Sequence, residues 1–127
     1  DPEMGPGVRE RFDFGRTQNA EDVKRERKRS DEVRDELAGL LGFDGFIVLP
    51  TVPGAAPLKN AGHESLLDYR ERALKLLSLS GLSGFPQLTL PLGAVHGAPF
   101  GLSLLGPFGS DKALLRLGRS ILDATKG

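Results

Sequence analysis

At 127 residues the chain can hold one ordinary domain and one hydrophobic core, and 39% hydrophobic with 27% charged residues mark it as globular rather than disordered. Seventeen basic residues balance seventeen acidic ones, so no net field draws it to nucleic acid or an anionic membrane, and no apolar run approaches the ~20 residues that span a bilayer. Cysteine is absent, which excludes disulfides and thiolate chemistry, leaves only His and carboxylates for any metal, and fits a reducing, cytoplasmic setting.

The opening stretch, Asp1-Pro2-Glu3-Met4-Gly5-Pro6-Gly7, is polar and turn-rich and does not resemble a signal peptide. Residues 1–18 are expected to be an irregular lead-in, and 19–127 a single α/β region. A chain that begins with Asp reads as a piece of something longer, a reading that other origins of such a start leave open.

Most of the charge lies before Gly42, and the remainder is apolar and punctuated by glycine and proline. A long helix is expected from Asn19 to Leu41, stopped by Gly42, with Val33, Leu37, Leu40 and Leu41 on one stripe. Its front carries Lys24-Arg25-Glu26-Arg27-Lys28-Arg29, the composition of a nucleic-acid patch, but the flanking Glu21, Asp22, Asp31 and Glu32 favour a solvated helix face instead.

Gly45 to Pro50 is a continuous apolar run that suits a strand buried on both faces. The prolines of Thr51-Val52-Pro53-Gly54-Ala55-Ala56-Pro57 require a loop. A second helix is expected over Glu64 to Leu79, with Leu66, Ala73, Leu74 and Leu77 inward, broken by Gly81, Gly84 and Pro86. Gln87–Pro91 and Pro99–Leu105 follow as strands, joined through a hairpin at residues 92–98. Ser110 is the expected N-cap of a last helix with Leu114, Leu117 and Ile121 on its inner stripe. The order helix, strand, helix, strand, strand, helix is an α/β layout, and a right-handed crossover is expected to lay the first two strands parallel and side by side.

Ligands of open α/β sheets sit beyond the carboxyl ends of the strands, which singles out the loop starting at Thr51. Residue chemistry adds little beyond that. Ser83 lies between Gly81 and Gly84, but the spacing is not Gly-x-Ser-x-Gly and a strand rather than a helix follows it. His63 and His96 read as surface histidines, one before a helix and one at a hairpin tip. No phosphate-binding glycine motif occurs. No metal ligand set and no cofactor are expected.

Three stretches, in this order, resemble the amidase signature family. Phe43-Asp44-Gly45-Phe46-Ile47-Val48-Leu49-Pro50-Thr51-Val52-Pro53 is similar to that family's aspartate, apolar strand and Pro-Thr-x-Pro segment. Ser83 to Gly93 is similar to its Gly-apolar-Pro, strand, Pro-x-Gly segment. Gly97-Ala98-Pro99-Phe100-Gly101 through Gly106, with Ser110 to Leu115 after it, resembles its hairpin strand and closing helix. Around Leu49 to Gly54 the wording is most similar to the indole-acetamide-type amidases of plants and related bacterial enzymes.

The resemblance implies the C-terminal piece of an α/β/α sandwich built on a mixed sheet, and hydrolysis of a carboxylic amide to an acid plus ammonia or an amine. The family performs this with a Ser–cis-Ser–Lys arrangement in a glycine- and serine-rich stretch. No Ser-Ser pair occurs here, and none of Lys24, Lys28, Lys59, Lys75, Lys112 and Lys126 sits in a matching context, so no catalytic residue is carried over. What transfers is a wall of the acyl pocket, from Thr51, Val52 and Pro53 and from Phe85. A small-molecule amide is then expected as partner only together with a missing upstream part. The alternatives are an α/β interaction module that forms a homo-oligomer through uncovered apolar surface, a small independent hydrolase using Ser83 or the histidines, and a nucleic-acid binder using residues 24–29.

Overall fold

A computed structural model describes residues 3–5 and 7–125; Asp1, Pro2 and Pro6 of the opening stretch, together with Lys126 and Gly127, lie outside the described residues. Four helices and five strands follow in order: α1 (Arg9–Arg16), α2 (Ala20–Leu41), β1 (Ile47–Pro50), α3 (His63–Ser83), β2 (Gln87–Leu90), β3 (Ala94–Val95), β4 (Ala98–Pro99), β5 (Leu102–Leu105) and α4 (Asp111–Ala124).

The lead-in is not irregular throughout. Residues 9–16 form α1, a two-turn helix with no buried residue. Asn19 caps α2: its side-chain oxygen accepts from the Asp22 amide at 2.8 Å, satisfying one of the donors a helix start leaves without a partner. Gly42 ends α2 at φ 57°, a conformation that favours glycine.

The sheet order is β1-β5-β2, with both outer strands antiparallel to β5. β1 and β2 therefore run in the same direction, as the crossover requires, but they do not lie side by side. β5 fills the space between them, so every neighbouring pair in this sheet is antiparallel where a mixed sheet was expected. Leu49, Ser103 and Thr89 stand in register across the three strands, as do Ile47, Leu105 and Gln87.

Alternation along β5 builds two cores on opposite faces of the sheet. Leu105 and Leu49 pack with Leu37 and Leu41 of α2 and with Phe85, with Leu79 of α3 beside them. On the other face Leu104 and Leu90 pack on Leu114 of α4, with Leu117 and Ile121 alongside. The result is three layers, α2 and α3, then the sheet, then α4. Gly118 of α4 lets that helix approach: a Cβ there would lie 2.5 Å from Leu88 Cδ2.

Two expected burials fail. β1 is not buried on both faces: Leu49 is buried while Val48 and Pro50 are exposed, because β1 is a sheet edge that α4 does not reach. Helix α3 runs past Gly81 to Ser83, and its Leu66, Leu74 and Leu77 are exposed; only Ala73 of the four expected inward is partly covered. The chain exposes 9658 Å² at a mass of 13.6 kDa. A compact monomer of that mass exposes roughly 6,600 Å² by the usual scaling of surface with mass.

Candidate functional site

β1 and β2 both finish at the same end of the sheet, and the loops that leave them begin Thr51-Val52-Pro53 and Pro91-Leu92. The chain entering β5 meets them there, since the Thr51 amide donates to the Gly101 carbonyl at 3.0 Å. Together Thr51, Val52, Thr89, Pro91, Pro99, Phe100 and Gly101 line an open cleft of about 360 Å³. That volume lies within the range of small-molecule sites. Tyr69 of α3 donates its hydroxyl to the Gly54 carbonyl at 3.3 Å, tying the Thr51 loop to the helix layer.

Thr51 and Val52 both line this cleft. Pro53 follows in the same loop, partly buried, and is not among the cleft's lining residues. Phe85 is placed elsewhere. It precedes β2 and so sits at the opposite end of the sheet, more than a strand length of roughly 13 Å from Thr51. It is only 3% exposed, seated in the core against Leu37, Leu41, Leu49 and Leu105. Its rim borders a separate cleft of about 510 Å³ shared with Arg34, Phe43 and Phe108. Arg34 there already donates Nε to the Ser83 carbonyl at 2.9 Å, and its guanidinium also faces Asp31. The Thr51 cleft, which gathers hydroxyls at the strand carboxyl ends, is the stronger site.

Sequence reasoning missed two of the polar residues at this cleft. Ser103 is fully buried in β5, with its Oγ 2.8 Å from Thr51 Oγ1 and 3.1 Å from Thr89 Oγ1. A signal was available: Gln87-Leu88-Thr89-Leu90 and Leu102-Ser103-Leu104-Leu105 each carry one hydroxyl inside an apolar strand, and a buried hydroxyl requires a partner.

The other candidates do not assemble. Ser83 Oγ donates to the Leu79 carbonyl at 2.6 Å and accepts from the Phe85 amide at 3.2 Å, so it caps the end of α3. His63 opens α3, while His96 takes φ 51° at the turn between β3 and β4. Among the described residues no three His, Cys, Asp or Glu side chains gather to hold a metal. Along the basic run, Arg25 pairs with Asp22 and Lys28 with Glu32. Among the described residues no helix is long and apolar enough to cross a membrane.

The sequence profile of the family described as Amidase matches residues 1–115. The chain belongs to the amidase family. It is 40% identical over 116 residues to Amidase 1 of Arabidopsis thaliana, covering 91% of this chain and 27% of that protein. A solved structure described as an amidase superposes with a TM-score of 0.77 at 30% identity, over 91% of this chain and 27% of the other. Another amidase-family relative is the chloroplastic Outer envelope protein 64 of Arabidopsis thaliana, 38% identical over 85 residues, which are 67% of this chain and 14% of the relative. The chain therefore spans about a quarter of the length of its amidase relatives, and its three-layer α/β fold is that of an amidase segment.

Proposed function

We propose that these residues are the C-terminal part of an amidase that hydrolyses a carboxylic amide to an acid plus ammonia or an amine. Their role there is to extend the sheet and to supply one wall of the acyl pocket through Thr51 and Val52. The observation that carries this reading is the surplus of surface: a well-formed two-sided core whose outer faces stay apolar, in a chain that matches its relatives over 91% of itself and 27% of them.

The chemistry supports the division of labour. Resonance makes an amide carbonyl a poor electrophile and its nitrogen a poor leaving group, so a nucleophile, oxyanion donors and a proton source are all required. The Thr51 cleft offers hydroxyls and apolar walls but no base: His63 and His96 do not line it. In this reading the Ser–Ser–Lys machinery comes from residues beyond these, and the amide is hydrolysed only when both parts are present. A cytoplasmic setting accords with the absence of cysteine, and the relationship to the chloroplastic Outer envelope protein 64 makes the chloroplast outer envelope the competing location.

The test is ammonia release from primary carboxylic amides by the 127-residue chain alone. None is expected. Turnover that disappears in Ser83→Ala would instead establish an independent hydrolase and refute this reading. The exposed Leu66, Leu74 and Leu77 favour a second reading, an α/β module that self-associates through α3. Light scattering separates them: a stable, well-defined oligomer supports the module.

A further inference from the structure

The hydroxyls at the cleft leave one proton unassigned. Ser103, Thr51 and Thr89 carry three hydroxyl protons, and the two oxygen–oxygen contacts between them, at 2.8 and 3.1 Å, use two. Ser103 is fully enclosed, so its own O–H needs an acceptor. If both threonines donated to Ser103, its proton would have nowhere to go. Ser103 must therefore donate to one threonine and accept from the other. The threonine that accepts keeps its own proton free, and both threonines line the cleft.

The rest of the wall supplies little competition. Val52, Pro91, Pro99 and Phe100 are apolar there, and the prolines have no N–H. The Thr51 amide is spent on the Gly101 carbonyl, and the Phe100 amide on the Gly93 carbonyl at 3.2 Å. Gly101 keeps the hydroxyls accessible, because a Cβ at that position would come within 3.0 Å of both Thr51 Oγ1 and Thr89 Cγ2.

We infer that Thr51 and Thr89 form a single-donor recognition point for an acceptor oxygen on an otherwise apolar small molecule. Ser103 links the two: by reversing its two hydrogen bonds it leaves either threonine free to present the proton. This rests on the cleft being the acyl wall proposed above, and it narrows the substrate to apolar amides whose acyl portion carries an acceptor oxygen besides the amide carbonyl.

The test titrates the 127-residue chain with acetophenone and with ethylbenzene, its counterpart lacking the acceptor, following the amide signals of Thr51, Val52, Thr89 and Gly101. Preference for acetophenone is the ratio of the two dissociation constants. Thr51→Val combined with Thr89→Val is expected to lower that ratio roughly fivefold, the change one neutral hydrogen bond supports. Either single variant keeps most of it, because the other threonine retains a donor. Ser103→Ala keeps it fully, since both threonine protons are then free. The triple variant Thr51→Val, Ser103→Ala, Thr89→Val leaves no buried hydroxyl orphaned and serves if the double variant does not fold. An unchanged ratio in the double or triple variant overturns the inference and leaves the cleft reading standing. If neither compound shifts these signals in the parent chain, both the inference and the cleft reading are overturned.

Discussion

Gly45 stands between α2 and β1, its amide donating to the Leu41 carbonyl at 2.9 Å. A Cβ at this position would lie 2.4 Å from that same carbonyl oxygen, a backbone atom that cannot turn aside as a side chain can. Gly45→Ala is therefore expected to destabilise the chain by about 2 kcal/mol, the scale of overpacking at a rigid site. Urea unfolding measures it; a midpoint equal to the parent's would show that the connection has slack. Leu105 makes the opposite case. It is fully enclosed at the centre of the α2 and α3 side of the sheet, and Leu105→Ala should cost about 2–5 kcal/mol through lost transfer and the cavity left behind. At this scale the sequence was legible where a residue acts through its own backbone, as with the stop at Gly42. The seat of Phe85 and the identity of the partners of Ser103 were not legible, because both depend on which strand lies opposite, and nothing near them in the chain specifies that.

The elements were readable from hydrophobic period and from proline. The long charged helix, both outer strands, the hairpin and the closing helix all lie within a few residues of their expected ranges. Two features escaped for physical reasons. Gly81 costs a helix interior only about 1 kcal/mol, which the rest of α3 offsets, so the helix continues to the left-handed Gly84. A four-residue apolar run looks the same whether one face or both are covered, and so β1 read as doubly buried when it is a sheet edge. Paired substitutions test that asymmetry. Ile47→Asp, which sets a charge against the Leu49 and Leu105 core, is expected to cost about 3 kcal/mol, whereas Val48→Asp on the open face should stay within about 0.5 kcal/mol. Equal losses in thermal unfolding would contradict the one-sided burial described here.

For the molecule as a whole, the stripe on α3 is the most informative feature. Leu66, Leu74 and Leu77 have the period of a buried face, yet they face solvent, as do Phe43 and Phe108. A pattern that specifies burial without anything to bury it against is what an amidase segment of this length presents. The sequence showed the stripe but not its lack of cover, since periodicity reports what a face is suited to and not what lies on it. Leu74→Gln with Leu77→Gln should leave the melting temperature of the 127-residue chain nearly unchanged, because neither side chain contributes to its core. A drop of several degrees would mean that α3 already buries this face against something within the chain. The central claim is that these residues complete an amidase rather than act alone. It is tested most directly by ammonia release from primary carboxylic amides, comparing the 127-residue chain with Arabidopsis Amidase 1 in which this chain replaces the matched stretch. Turnover is expected from the chimera and none from the chain, and turnover by the chain at a rate matching the chimera would show that it acts alone.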